Sequence, residues 1–297
     1  AQSAVRDSII MCGELIIPSL FPFFIGAGLI SRLGALDGLS RRLAPLCMRL
    51  FGVSGSGASA FITGITAGYP VGAAYIAELN KNGEISSDEA GRLLCFCNNS
   101  GPAFIIGAAG TGVFGSVKAG VFLYLIHILA AILGGIVLSH GSKQHCALNV
   151  SRTSHPGFAA AFTGAVSSSV SACLSVYGFI IAFTVICRML CELGIIMPAA
   201  AALSRFPGLG LGSAYSLIIG FIELGSGIGS MAGLGITPLN LSIAAFILSW
   251  GSISVHFQTF SVLGEIKISA ARYMAGRLLI AIFAFSLALL GGAVLRI

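Results

Sequence analysis

The residues able to do chemistry sit inside long apolar runs. Glu223 lies within Ile218-Ile219-Gly220-Phe221-Ile222-Glu223-Leu224-Gly225. An ionisable group at membrane depth costs at least ~2.5–3.5 kcal/mol, so such groups are functional candidates by default. Two roles fit Glu223: contact with a substrate or cation, or capping of backbone amides at the glycine break. Asn98-Asn99-Ser100-Gly101-Pro102 interrupts another run. Its amides and hydroxyl could meet a substrate or merely satisfy an unwound backbone. A counterpart is Ser249-Trp250-Gly251-Ser252-Ile253-Ser254-Val255-His256-Phe257-Gln258. On a helix Ser252 and His256 share a face, as do Ser254 and Gln258. His256 is either a ligand or a helix-to-helix hydrogen bond. Tyr69 either stacks on an aromatic ring or anchors a turn. Thr66 and Ser226 complete the candidate substrate-binding set.

Other chemistry is excluded by pattern. Ser54-Gly55-Ser56-Gly57 is not a nucleophile elbow, and no HExxH or paired catalytic Asp occurs. An enzyme is not expected, nor a cofactor, while a coupling cation is left open. The eight cysteines (Cys12, Cys47, Cys95, Cys97, Cys146, Cys173, Cys187, Cys191) form no CxxC pair or zinc spacing and read as small packing residues. His127 lies mid-span and reads as a packing contact. His140, His145 and His155 form no metal spacing and read as solvated loop residues.

Elements able to position these groups follow from composition. Hydrophobic residues make up 56% of the 297 and charged ones 9%, with a mean hydropathy of +0.99. A soluble domain carries about 25% charged residues, so the class is an all-α polytopic membrane protein in contact with the lipid bilayer. Strand-length alternating segments are missing, which argues against a β-barrel. The net charge of +6 comes from Lys and Arg between apolar runs, so no nucleic acid is implied. Ala1 to Ile10 do not resemble a signal peptide, because the apolar run after them continues too far.

The chain divides into two similar halves. Leu133-Gly134-Gly135-Ile136-Val137-Leu138 returns as Leu290-Gly291-Gly292-Ala293-Val294-Leu295, 157 positions later. The first repeat is 1–139, a polar linker is 140–156, and the second repeat is 157–297. In the first, a span covers Ser8 to Ile30 and an amphipathic interfacial helix Leu36 to Phe51. Ser54 to Leu79 is interrupted by Gly64, Gly68, Pro70 and Gly72. After a polar loop, Ser87-Asp88-Glu89-Ala90 supplies an N-cap and first-turn acids. That helix breaks at 98–102, because Pro102 lacks an amide donor and disfavours helix at Gly101. It resumes over Ala103 to Ala109, and Val117 to Leu138 closes the half. In the second, Ala165 to Leu190 is a span and Met197 to Phe206 a weaker interfacial helix. Ser213 to Gly235 is broken by Gly220, Gly225, Gly227 and Gly229. Thr237 to Leu263 has a polar middle, and Tyr273 to Leu295 is the last span.

Charge orders the topology. If 54–79 and 213–235 are re-entrant hairpins, each half crosses three times and the halves are inverted. Arg32, Arg41, Arg42, Arg49, Lys81, Arg92, Lys143, Arg152, Lys267, Arg272 and Arg277 then share one side. Arg6, Lys118, Arg188, Arg205 and Arg296 share the other. The larger group marks the cytoplasm, linker included. Broken helices in corresponding halves point to a transporter's site at the membrane midplane.

The strings Phe61-Ile62-Thr63-Gly64-Ile65-Thr66-Ala67-Gly68-Tyr69-Pro70-Val71-Gly72-Ala73, Phe96-Cys97-Asn98-Asn99-Ser100-Gly101-Pro102-Ala103-Phe104-Ile105-Ile106-Gly107 and Ser-Val-His-x-Gln at Ser254 to Gln258 resemble the family of YlbJ-type sporulation integral membrane proteins. That family carries the nucleoside-recognition, or Gate, domain. The resemblance implies a bacterial inner or forespore membrane and transport of dipicolinate; a nucleoside is the alternative substrate, and a non-transporting scaffold in a membrane complex a third reading. The order of elements is also similar to the core of concentrative nucleoside transporters, where hairpin tips and unwound helices form the site. The polar Gln/Thr/Glu triplet of their first hairpin is replaced here by Thr66-Ala67-Gly68-Tyr69. The expected partner is a small polar or anionic metabolite carried by alternating access, without a buried Lys or Arg in its pocket. A homo-oligomer is left open.

Overall fold

The computed structural model describes residues 5–6, 9–10, 13–14, 17–35, 37–140, 156–264, 266 and 268–295. Most of the linker, with Lys143, His145, Cys146, Arg152 and His155, therefore lies outside the described residues, as do Ser8, Cys12, Leu36, Lys267 and Arg296. Among the described residues the chain is helical, with no strand. Four stretches are long and apolar enough to cross a bilayer: Val117–Ser139, Phe158–Glu192, Pro238–Leu263 and Ala270–Val294.

The helices follow one order twice. In the first half α1 (Ile17–Arg32) is followed by α2 (Asp37–Phe51), α3 (Gly55–Ala67), α4 (Val71–Lys81), α5 (Ser87–Cys97), a π-helix π1 (Ala103–Val113) and α6 (Val117–Ser139). In the second come α7 (Phe158–Glu192), α8 (Ile196–Leu203), α9 (Leu211–Ile222), α10 (Leu224–Gly229), α11 (Pro238–Trp250), α12 (Ser252–Leu263) and α13 (Ala270–Leu295). α2 turns 81° away from α1. It buries Ala44, Cys47 and Phe51 and leaves Arg41, Arg42 and Arg49 exposed. Phe51 meets Phe61 of α3 and Phe96 of α5 with centroids 5.1 and 5.0 Å away.

Several local expectations shift. The cap of α5 is Ser86, not Ser87: its hydroxyl accepts from Glu89 N at 3.1 Å. Beyond Pro102 the chain continues as a π-helix to Val113, not as an α-helix ending at Ala109. α7 is 35 residues long, about 52 Å at 1.5 Å per residue, more than the ~30 Å hydrocarbon core requires. In the 54–79 run only Gly68-Tyr69-Pro70 breaks the helix. Gly64 and Gly72 lie inside its two arms and serve close approach instead. The Cys97 carbonyl oxygen would lie 1.8 Å from a Cβ on Gly64 and 3.0 Å from one on Gly72. In the second half only Glu223 separates α9 from α10, and a Cβ on Gly227 would sit 2.1 Å from the Gly220 Cα. Both segments are thus tight helical hairpins whose glycines let backbones touch.

The repeated Gly-Gly pairs have matching jobs. A Cβ on Gly134 would strike Ile280, and one on Gly135 would crowd Phe51 and Phe96. A Cβ on Gly291 would crowd Phe122, and one on Gly292 Pro238. These contacts fix direction. Gly134 faces Ile280, Gly276 faces Leu138 and Gly291 faces Phe122, so α6 and α13 run antiparallel. Gly28 faces Ala165, Leu20 packs with Val176 and Ile180, and Arg32 donates to Ser168 Oγ at 2.8 Å; α1 and α7 are antiparallel too. Contacts between the halves come in exchanged pairs. α5 packs on α13 as α11 packs on α6, and α4 on α12 as α10 on π1.

The glycine contacts generate a stability prediction. Gly64→Ala drives a methyl into a backbone oxygen that cannot move aside, at an overpacking cost of about 1–3 kcal/mol or more. Gly178→Ala in α7, which has nothing within 4 Å, should be neutral or stabilising by up to about 1 kcal/mol. Thermal unfolding of purified protein separates the two; equal midpoints would contradict the packing.

Candidate functional site

Two helices end in the middle of the molecule, and each leaves carbonyls without intrahelical partners. α5 stops at Cys97 because Gly101-Pro102 follows. Its final carbonyls are taken up one by one. Phe96 O accepts from Asn99 Nδ2 at 2.7 Å, Cys97 O from Asn99 N at 3.1 Å, and Cys95 O from the Arg277 guanidinium at 3.2 Å. α11 stops at Gly251, which takes the left-handed conformation at φ 82° as helix C-caps commonly do. There Ile247 O accepts from Gly251 N, Leu248 O accepts from Ser100 Oγ at 3.0 Å, and Ser249 O accepts from Arg277. Each break is therefore completed by the other half of the chain.

His127 of α6 ties the breaks together. Its Nε2 accepts the Ser100 backbone N–H at 3.1 Å, and its Nδ1 faces Ser249 Oγ at 2.8 Å. A backbone N–H can only donate, so Nε2 carries no proton and Nδ1–H donates to Ser249. The ring is neutral and fully engaged, more than the packing contact expected of it.

A cavity with about 510 Å³ of atom-free space, mouth included, opens beside this network. Its walls come in pairs. The first hairpin tip gives Ala67 and Tyr69, the second Glu223, Leu224 and Gly225. The segments beyond the breaks give Gly101, Ala103 and Phe104 on one side and Val255 and Gln258 on the other. The first helices give Leu20, Phe23 and Phe24 from α1 and Val176 and Ile180 from α7.

The Gate family profile, described as "Nucleoside recognition", matches residues 15–116, which hold the first hairpin and the first break. The sporulation integral membrane protein YlbJ of Bacillus subtilis (strain 168) is 30% identical over 308 residues, covering 95% of this chain and 75% of the relative. The chain belongs to the YlbJ family. It is an integral membrane protein. No solved structure matches it.

Against that family frame the candidate residues separate into two sets. Tyr69, Glu223 and Gln258 line the cavity. Asn98, Asn99, Ser100, Ser252, Ser254 and His256 are buried in the network behind it. Asn98 Nδ2 reaches Thr259 Oγ1 at 2.7 Å and Tyr273 OH at 3.1 Å. His256 Nδ1 faces the same Tyr273 hydroxyl at 3.3 Å and stacks edge-on against Trp250. Ser254 Oγ accepts from Gln258 Nε2 at 3.4 Å, as the shared helix face requires. Ser252 Oγ accepts from Val255 N. Thr66 is exposed and returns its hydroxyl to Ile62 O, away from the others. Ser226 contributes its amide to Glu223 and its hydroxyl to Thr184 at 3.3 Å.

Sequence reading missed Arg277. It was grouped with cytoplasmic loop charges, and the pocket was expected to lack a buried cation. Arg277 is instead 1% exposed in the core, held by Cys95 O, Ser249 O and Asn99 Oδ1. The signal was there: an arginine a turn inside the last apolar run cannot lie in a loop. Removing it from the charge count leaves the direction of the asymmetry unchanged. Tyr273, which gathers Asn98, His256 and Thr259, was missed as well.

Glu223 is where both of its expected roles meet. Its Oε1 accepts from Gly225 N at 3.0 Å and its Oε2 from Ser226 N at 2.5 Å, so it caps α10 while facing the cavity. Glu223→Gln would set an amide NH2 against one of two N–H donors. The expected loss of stability is about 1–3 kcal/mol, the cost of an unsatisfied buried donor. Ser226→Ala keeps the backbone amide and loses only the hydroxyl, which reaches Glu223 and Thr184, so it should cost less than Glu223→Gln. Thermal midpoints of the two variants check this; a Glu223→Gln protein as stable as wild type would show that the cap contributes nothing.

Proposed function

We propose that the protein is a membrane transporter of a small, planar, polar or anionic metabolite, working by alternating access between two inverted repeats. The observation that carries the reading is the paired wall of the cavity. Hairpin tip, broken helix and first span each contribute from both halves. The antiparallel pairing of α1 with α7 and of α6 with α13 supports inversion. Inverted repeats place a substrate at their interface near the midplane. In this reading the two hairpins are re-entrant, and motion of one repeat against the other exposes the cavity to either side.

Substrate class follows from the walls. Phe23, Phe24, Phe104 and Tyr69 suit a flat ring, and the start of π1 at Gly101 and Ala103 turns a helix N-terminus, the positive end, toward the cavity. Dipicolinate, implied by the sporulation family and placing the protein in an inner or forespore membrane, fits that description. The family description "Nucleoside recognition" keeps a nucleoside as the second reading.

Purified protein should be thermally stabilised by dipicolinate more than by uridine. A ligand at ten times its Kd adds about 1.4 kcal/mol to the folded state. Gln258→Leu, which removes the amide from the wall, should abolish that gain. Stabilisation by uridine alone would transfer the site to nucleosides; no response to either at millimolar concentration would favour a scaffold.

Topology can be tested separately. Ser54 is buried and caps α3, so exposed flanks serve better. In a background without native cysteines, Arg49→Cys and Asn82→Cys should both react with an impermeant thiol reagent from the same side of the membrane. Labelling from opposite sides would mean that the first hairpin spans, and inversion would fail.

A further inference from the structure

We propose that Arg277 is a tethered cation, occupying between the two helix breaks the place that broken-helix transporters give to a mobile coupling cation, so that the cycle runs without sodium. The second clause rests on the transporter reading above; the first does not. In transporters of this build, unwound carbonyls and half-helix C-termini coordinate the coupling ion. Here the equivalent oxygens are Cys95 O in the last turn of α5, Ser249 O in the last turn of α11 and Asn99 Oδ1 within the first break. All three accept from one guanidinium. A Cβ on Gly251, at the second break, would lie 3.8 Å from Arg277 Nη2, so the charge stands against both interruptions at once.

The electrostatics agree. Two helix C-termini each bring the negative end of a macrodipole to this point, and a buried positive charge needs such compensation. Among the described residues no carboxylate forms an ion pair with Arg277. The buried carboxylate of Glu223 spends both oxygens on α10 amides. The charge is thus balanced by carbonyls and dipoles, as a bound metal cation would be. Arginine suits the task because its planar fork reaches separate acceptors and keeps its charge in a protein, where a lysine offers a single point. A sodium ion added beside it would meet a fixed like charge at oxygens already in use. A group bonded to the chain also cannot leave with the substrate, so it holds the breaks together in every state.

The sodium titration comes first and uses the wild-type protein. Its thermal midpoint should be the same in sodium chloride and in choline chloride at equal ionic strength. Uptake of dipicolinate or uridine into proteoliposomes should likewise be equal in the two salts. Arg277→Ala should lower the midpoint, and millimolar methylguanidinium, but not methylammonium, should restore at least half of the loss. Arg277→Lys should fall between the two proteins. A sodium-specific rise in the wild-type midpoint, or sodium-dependent uptake, overturns the proposal. So does an Arg277→Met protein with wild-type midpoint. If the alanine variant fails to fold, the wild-type titration and the lysine variant decide. A protein that moves neither solute sinks the transporter reading alone, because sodium binding and guanidinium rescue are read from the midpoint.

Discussion

A helix that stops in a buried protein interior exposes carbonyls where no water can reach them, and each one left unsatisfied costs several kcal/mol. This protein has two such stops, at Cys97 and at Trp250, and the rest of its core is arranged around them. Five hydrogen bonds close the two ends. Asn99 serves its own helix with side chain and backbone, Ser100 crosses to Leu248, and Arg277 reaches Cys95 and Ser249. Since neither break can be completed from within its own half, the halves are obligatory partners. Removing Arg277 would leave a carbonyl unpaired in each half, Cys95 O and Ser249 O.

Close approach is the second condition. A hairpin can lie against its own break, or one arm against the other, only where backbones nearly touch, and glycines make that possible within each half. Gly64 and Gly72 admit the Cys97 carbonyl, Gly68 lies against Gly101, and Gly227 lies against Gly220. Tyr69 N then donates to Asn99 O at 2.7 Å, joining the first hairpin tip to the first break. The first tip is therefore attached to the polar core and not merely packed on it, and the cavity beside it inherits that geometry.

Much of this was legible in the chain because it rests on local rules. Pro102 fixes the first break, the spacing of apolar residues in α2 gives an amphipathic helix, and the duplicated Gly-Gly pairs lie in the final long apolar helix of each half. What stayed hidden depends on three-dimensional neighbours. A glycine signals permission and not use, so of the four candidate interruptions in the run 54–79 only Gly68 and Pro70 fall in the actual break. π1 has no sequence signature separate from an apolar α-helix. Ser86 and Ser87 are equivalent caps until the backbone chooses. Arg277 was visible as a charge, but a charge near the end of a span reads as a loop anchor unless the carbonyls that receive it are known. Most of the candidate residues lie together, with Thr66 apart, but which of them wall the cavity and which stand behind it is not legible in the chain.

That division follows from hydrogen-bond valence. Asn99 spends its amide on Phe96 O and its oxygen on Arg277, so it has little left for a ligand despite sitting at a break. Ser100 Oγ has one hydrogen and faces both Leu248 O, which can only accept, and Tyr69 OH at 2.9 Å. The hydrogen goes to the carbonyl, so Tyr69 donates to Ser100 and presents an accepting oxygen elsewhere. Glu223 uses one lone pair on each oxygen for α10. Unspent capacity remains at Gln258 Oε1, His256 Nε2 and Asn98 Oδ1, which are buried with no hydrogen-bond partner among the described residues. Buried polar atoms of that kind are rare in native proteins and call for a missing partner such as water or ligand. Of the three, only Gln258 reaches the cavity wall, where it stands with Tyr69 and Glu223 at the junction of both hairpin tips. On the transporter reading these three side chains are the proposed contacts, and the more conspicuous Asn-Asn-Ser string is the framework behind them.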